Sequence, residues 1–546
     1  MILGFCSVAS GAGPCDALAA TPPNPPQDRY AVIAWNDLGM HCMDTDYSVF
    51  AILPPYNNLH AQLIDRQTGK TVTSKVMLYY QATPDTQGSI NTTSIAKTNF
   101  WDYSGDLFGV VLKPDFGLAG NPVQSRKPAP LAYDPAGGLW KANGIPTIPY
   151  DDKGDANRYP MVKVTATDRK GKVLAITKTV LPVSDELACS HCHASGTGDP
   201  AAKPSPDWVN DPEPAKDWKR NILLLHDNRN LADPACAPAL AQNHYDSAGL
   251  LATSDAGTSV LCANCHSSNA LGTKGVGNIK QLSTSIHSWH AVKAMDDNTG
   301  MPLGQTMDRT GCYYCHPGST TLCLRGAMGI AKYPDGSLKL ECQSCHGSMN
   351  QVGAPDRKAW VDLPQCQDCH YQAADGKYVR DTSALDANGN FKNMPSIFSS
   401  GGALYKLAAT HGTMQCESCH GSTHAEYATA NANDNVQSIL LQKHTGMVSE
   451  CTVCHQNDQR VTHNGGPHGL HSIGQVYISS HGKAAKSGAA ACSVCHGADY
   501  RGTSLSKTFA ARKFLLNSPI HKTRYDQGQL VSCYDCHNGP AGMRRR

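Results

Sequence analysis

Nine copies of one pattern, Cys-x-x-Cys-His, begin at Cys189, Cys262, Cys312, Cys342, Cys366, Cys416, Cys451, Cys492 and Cys533. With this chain's own cysteine and histidine frequencies, about 0.04 copies are expected by chance. The spacing has a chemical cause: two thiols two residues apart reach the two vinyl groups of one haem, and the next residue sets its imidazole beneath the iron. Each motif therefore predicts a covalent haem c site, nine in all. The predicted attachment thiols are Cys189 and Cys192, Cys262 and Cys265, Cys312 and Cys315, Cys342 and Cys345, Cys366 and Cys369, Cys416 and Cys419, Cys451 and Cys454, Cys492 and Cys495, and Cys533 and Cys536. The predicted proximal iron ligands are His193, His266, His316, His346, His370, His420, His455, His496 and His537. Zinc knuckles, the alternative for paired cysteines, need two pairs per metal and no histidine directly after the second thiol.

Composition agrees with a cofactor-filled interior. Only 40% of the 546 residues are apolar and 7% aromatic, against 23 Cys and 24 His. No run approaches the 18 or more apolar residues of a spanning helix, and the formal charge is only +2. An integral membrane helix and a basic nucleic-acid binder are both disfavoured.

Three segments are expected. Residues 1–20 are small and apolar, with Ala17-Leu18-Ala19 resembling a cleavage site, and read as a signal or leader segment lacking a preceding basic residue. Residues 21–184 carry no haem motif and predict a β-rich, sandwich-like domain, with strands at Tyr30–Trp35, Ala61–Ile64, Thr71–Tyr80, Phe108–Leu112 and a hairpin of Lys163–Thr167 and Val173–Val180. Residues 185–546 form the nine-haem domain. The expected fold class is a multihaem cytochrome c, mostly loops and short helices around stacked haems, with the N-terminal β-rich domain appended. The clearest helix is Ile279–Met295.

The sixth iron ligand separates carriers from enzymes. Fifteen histidines lie outside the motif positions, enough for nine bis-histidine irons. The candidates are His226, His287, His290, His411, His424, His444, His471, His481 and His521, with His468 the competitor of His471 and His41 undecided. His287 and His290, three apart on one helix face, cannot share an iron and would serve two adjacent haems. His60 and His191 are expected not to ligate. Haem attachment is completed after export, in an oxidising compartment where Cys236 and Cys323 are a natural disulfide pair, which would leave Cys42 over; the alternative is that all three are buried thiols.

The haem-bearing two thirds resembles the large extracellular and outer-surface multihaem c-type cytochromes of bacteria that respire on minerals and electrodes, a group that includes nanowire-forming members. The resemblance rests on the nine motifs and on phrases such as Cys312-Tyr-Tyr-Cys-His-Pro-Gly, His420-Gly-Ser-Thr-His424 and Gly465-Gly-Pro-His468-Gly-Leu-His471. Trp35-Asn-Asp-Leu-Gly-Met-His41-Cys42 and Leu53-Pro-Pro-Tyr56 look like the opening of such proteins. It implies an exported, extracellular or outer-surface electron carrier, with the periplasm as the alternative location. Its implied partners are other cytochromes or extracellular acceptors, with self-association into filaments, and it has no catalytic residue. The alternative function is a reductase of nitrogen or sulfur oxyanions with one open-site haem, although no Cys-x-x-Cys-Lys variant announces one.

Overall fold

Strands dominate the first half of the chain because apolar residues there recur at every second position and the turns between them carry Gly, Asn and Asp. The computed structural model describes residues 29–318, 320–364, 414–456, 475–503, 506–508, 511–515 and 524–540. In β9 (Met161–Asp168) and β10 (Val173–Val180), Val162, Val164, Ala166 and Ala175 face inward. The turn joining them is tied by Asp168, whose backbone N–H donates to the Lys172 carbonyl and whose carboxylate accepts from the Lys170 and Lys172 amides.

These two strands end a larger antiparallel sheet with β1 (Tyr30–Trp35), β4 (Tyr56–Asp65), β6 (Val76–Thr83), β7 (Ala129–Asp134) and β8 (Leu139–Pro146). Two short strands, β2 (His41–Cys42) and β3 (Phe50–Ala51), lie between β1 and β4, and β5 (Lys70–Thr71) pairs with β4. The order is β1-β4-β8-β7-β6-β9-β10. Its two end strands, β1 and β10, lie against each other, so the sheet curls into a nearly closed barrel. Val32, Leu59, Leu63, Leu78, Tyr80, Trp140 and Val164 fill its interior.

This sheet overturns the expected fold class. The chain is a β-rich fold built on a large antiparallel barrel, not a cytochrome of mostly loops and short helices around stacked haems. The motifs dictate local ligand chemistry, whereas the packed core is made by alternating Val, Leu, Ala and aromatic residues that need no cofactor to bury them. The sandwich expectation is corrected too, since one sheet closes on itself instead of two sheets stacking. Phe108–Leu112 is not a strand: a helix, Phe100–Phe108, ends there on Gly109. Thr71–Tyr80 is broken between β5 and β6.

The gap between β1 and β10 is closed by a side chain. Gln437, on the helix Ala432–Gln442, accepts from the Ala34 N–H at 2.8 Å and from Thr177 Oγ1 at 2.9 Å, and donates to the Ala34 carbonyl at 2.8 Å. Its amide imitates the missing strand edge. After β10, β11 (Val183–Ser184) runs parallel to β2, and later β12 (Val260–Leu261) runs parallel to β3. The loop segment 41–51 thus forms a platform beside the barrel. Among the described residues no helix is long and apolar enough to cross a membrane.

Candidate haem centres

The motifs, numbered 1 to 9 in chain order, mostly sit on single helical turns: Ser190–His193, Cys262–Cys265, Cys342–His346, Cys416–His420 and Ser493–His496. One turn brings residues three and four apart onto one face, so both thiols and the histidine project together. The backbone N–H of the motif histidine donates to the carbonyl of the first cysteine in motif 1 (3.0 Å), motif 2 (3.0 Å), motif 3 (2.9 Å) and motif 7 (2.9 Å). Motif 5 (Cys366, Cys369, His370) and the candidates His411, His468, His471 and His521 lie outside the described residues.

The barrel and its platform position four motifs. Motif 1 follows β11 and motif 2 begins directly after β12. Between them Lys219, fully buried, donates to Asp44 Oδ1 at 2.8 Å and to the carbonyls of Asp46 and Phe50. Asp44 in turn accepts from the Ile52 and Leu53 amides. Motif 6 docks on β4, where Gln62 Oε1 accepts from Ser418 Oγ at 2.7 Å. Motif 7 docks on the β4–β5 turn through Gln456 N–H to the Arg66 carbonyl at 2.8 Å. Gly69 in that turn has φ +68° and lies so close to His455 that a Cβ would stand 2.3 Å from Cε1.

Five motif histidines face a second histidine across a gap. Ring centroids are 6.2 Å apart for His193 and His290, 6.4 Å for His266 and His226, and 6.0 Å for His316 and His287. They are 6.1 Å apart for His346 and His424, and 5.7 Å for His537 and His481. Two imidazoles on opposite sides of one metal, each at about 2 Å, place their centroids roughly 6 Å apart. Many of these rings are oriented by a backbone carbonyl at Nδ1: Lys280 for His266 (2.8 Å), Ser283 for His287 (2.8 Å), Ile286 for His290 (2.7 Å), Ile478 for His481 (2.8 Å) and Gly539 for His537 (2.9 Å). That bond fixes the tautomer and leaves Nε2 as the lone-pair donor.

Burial lowers His193, His287 and His424 to about 4, each helped by a neighbouring imidazole, so the rings are neutral at pH 7, the form that binds metal. Burial also pushes the thiols up, to about 12 at Cys189, Cys262, Cys419 and Cys454. A zinc site needs thiolates and four converging ligands. Those four thiols are held neutral, and among the described residues no three His, Cys, Asp or Glu side chains converge on one point. The opposed imidazoles and flanking thiols fit a haem with two axial histidines.

Among the described residues, several other histidines have different neighbours. His444 Nδ1 meets the Thr445 carbonyl and its Nε2 the Glu450 carboxylate at 3.2 Å. His41 is buried with Nε2 on the Pro54 carbonyl, His60 pairs with Asp37, and His191 with Asp297 at 2.8 Å. His496 Nδ1 meets the Val531 carbonyl, and His420 is half-buried. Cys42, Cys236 and Cys323 are free thiols, so no Cys236–Cys323 bridge is formed; Cys236 packs near Cys262 and Cys265, and Cys323 lies by His424. The sequence carried no signal for Gln437, Lys219 or Gln62, whose types are ordinary and whose partners are remote in the chain. The chain matches no protein-family model and no curated protein.

Proposed function

We propose that this chain is an exported electron carrier holding nine covalent haem c groups, one at each Cys-x-x-Cys-His motif. The observation that carries the reading is the set of five motif histidines, each opposed by a second imidazole across the width of one metal, three of these second rings being oriented by a backbone carbonyl. When bound, haem supplies an iron that changes charge by one electron. The chain's residues do the rest. The motif thiols would hold the porphyrin, the opposed Nε2 atoms would be the iron's ligands, and the Nδ1 bonds to carbonyls set ring orientation and would raise ligand basicity. The barrel and its platform keep motifs 1, 2, 6 and 7 in fixed places.

At these five motifs a second imidazole stands where an enzyme would keep a coordination site open for substrate, which supports a carrier over an enzyme. The resemblance to outer-surface multihaem cytochromes supports an extracellular or outer-surface location and partners that are other cytochromes or extracellular acceptors. Self-association into filaments belongs to the same reading and rests on that resemblance alone.

Intact mass of the protein purified from an expression host that matures c-type cytochromes tests the reading. The expected result is a mass increment of nine haems, each retained under denaturing conditions. A mass equal to the bare polypeptide overturns it.

A further inference from the structure

The geometry points to an electron path whose spatial order departs from the order of the motifs: we infer that the centre of motif 1 stands between those of motifs 2 and 3, giving the sequence 2–1–3–4. This rests on the haem reading above and deepens it.

Motif 1 is gripped by two helices. The first, Pro214–Asn230, is tied to it by Asn221 Nδ2, which donates to the His193 carbonyl at 3.0 Å, and the same helix presents His226 to His266 of motif 2. Cys189 of motif 1 and Cys262 and Cys265 of motif 2 pack against one apolar cluster, built on Phe50, Trp218 and Leu223. Cys189 and Cys262 both feel the charges of the buried Asp44–Lys219 pair. One helix and one packed cluster therefore join motifs 1 and 2.

The second helix, Leu282–Lys293, presents His290 to His193 of motif 1 and His287 to His316 of motif 3. Residues three apart on a helix have Cβ atoms only about 5–6 Å apart, so the two centres they serve must be neighbours. The loops inside the two motifs touch as well. His191 of motif 1 pairs with Asp297 at 2.8 Å, its ring lies 5.3 Å from that of Tyr314 in motif 3, and Tyr314 Oη accepts from the Asp297 N–H at 2.7 Å.

From motif 3 the path continues to motif 4. Arg309, just before motif 3, donates to the Glu341 carboxylate, just before motif 4, at 2.6 Å, and to the Leu340 carbonyl at 2.7 Å. The helix Leu282–Lys293 also touches motif 2, where Ser285 Oγ lies 3.2 Å from His266 Nδ1 and the Leu282 N–H donates to the Ser267 carbonyl, but the imidazole opposed to His266 comes from the helix that grips motif 1. The centre of motif 2 is thus the end of this stretch, and that of motif 1 is the step through which it reaches the others.

A density map of the loaded full chain tests the order, with each haem assigned to its motif by its thioether links. The expected map has the haems on Cys189 and Cys312 as neighbours, with the haem on Cys262 touching the former and not the latter. A map in which the haem on Cys262 lies between those on Cys189 and Cys312 overturns the order while leaving the haem reading intact. A map of folded chain without haem at these thiols overturns both.

Discussion

Gln437 does for the barrel what another strand would do, because its amide offers both a donor and an acceptor to Ala34 while also accepting from Thr177. Gln437→Leu leaves these buried backbone groups unpaired, at about 1–3 kcal/mol for each unsatisfied group. Denaturant unfolding should read a loss of roughly 2–4 kcal/mol, and an unchanged midpoint would contradict the seam. The histidines make a separate prediction. His287→Ala and His290→Ala should each give the reduced holoprotein one carbon monoxide-binding iron, on motif 3 and motif 1 respectively, whereas His444→Ala should add none. At this scale the motifs were legible because their spacing is a fixed local pattern, and the i, i+3 placement of His287 and His290 on one helix was legible from its periodicity. Gln437 was not, since its partner Ala34 is 403 residues away in the chain.

The element that binds barrel to motifs is the platform 41–51 with the helix Pro214–Asn230. Lys219 spends its three N–H groups on Asp44, Asp46 and Phe50, and its ammonium lies 4.5 Å from the Phe50 ring centroid. Lys219→Met leaves Asp44 charged and buried without its counter-ion, which costs about 3–5 kcal/mol. Adding Asp44→Asn, which keeps an oxygen for the Ile52 and Leu53 amides, should restore part of that loss in the same unfolding measurement. A double variant no more stable than Lys219→Met would show that the charge is not what matters. Strands β1, β9 and β10 were legible because their alternation is regular and Asp168–Lys172 is a plain turn. Barrel closure was not, because no local pattern states which distant strands become neighbours.

For the whole molecule, nine haems would bring eighteen propionates to a chain whose formal charge is +2. The holoprotein should therefore focus well on the acidic side of neutrality, and an isoelectric point at or above neutrality would mean the propionates are absent or neutralised. Because reduction makes that field more negative, it should also favour proton uptake, so midpoint potentials should fall as pH rises near neutrality. The central claim is that motif and non-motif histidines meet across one iron and close it. Electron paramagnetic resonance of the oxidised native holoprotein, followed by carbon monoxide exposure after reduction, tests this most directly. The account predicts only low-spin ferric signals and no rapid carbon monoxide binding; a high-spin signal with rapid binding at even one iron would contradict closure of every centre.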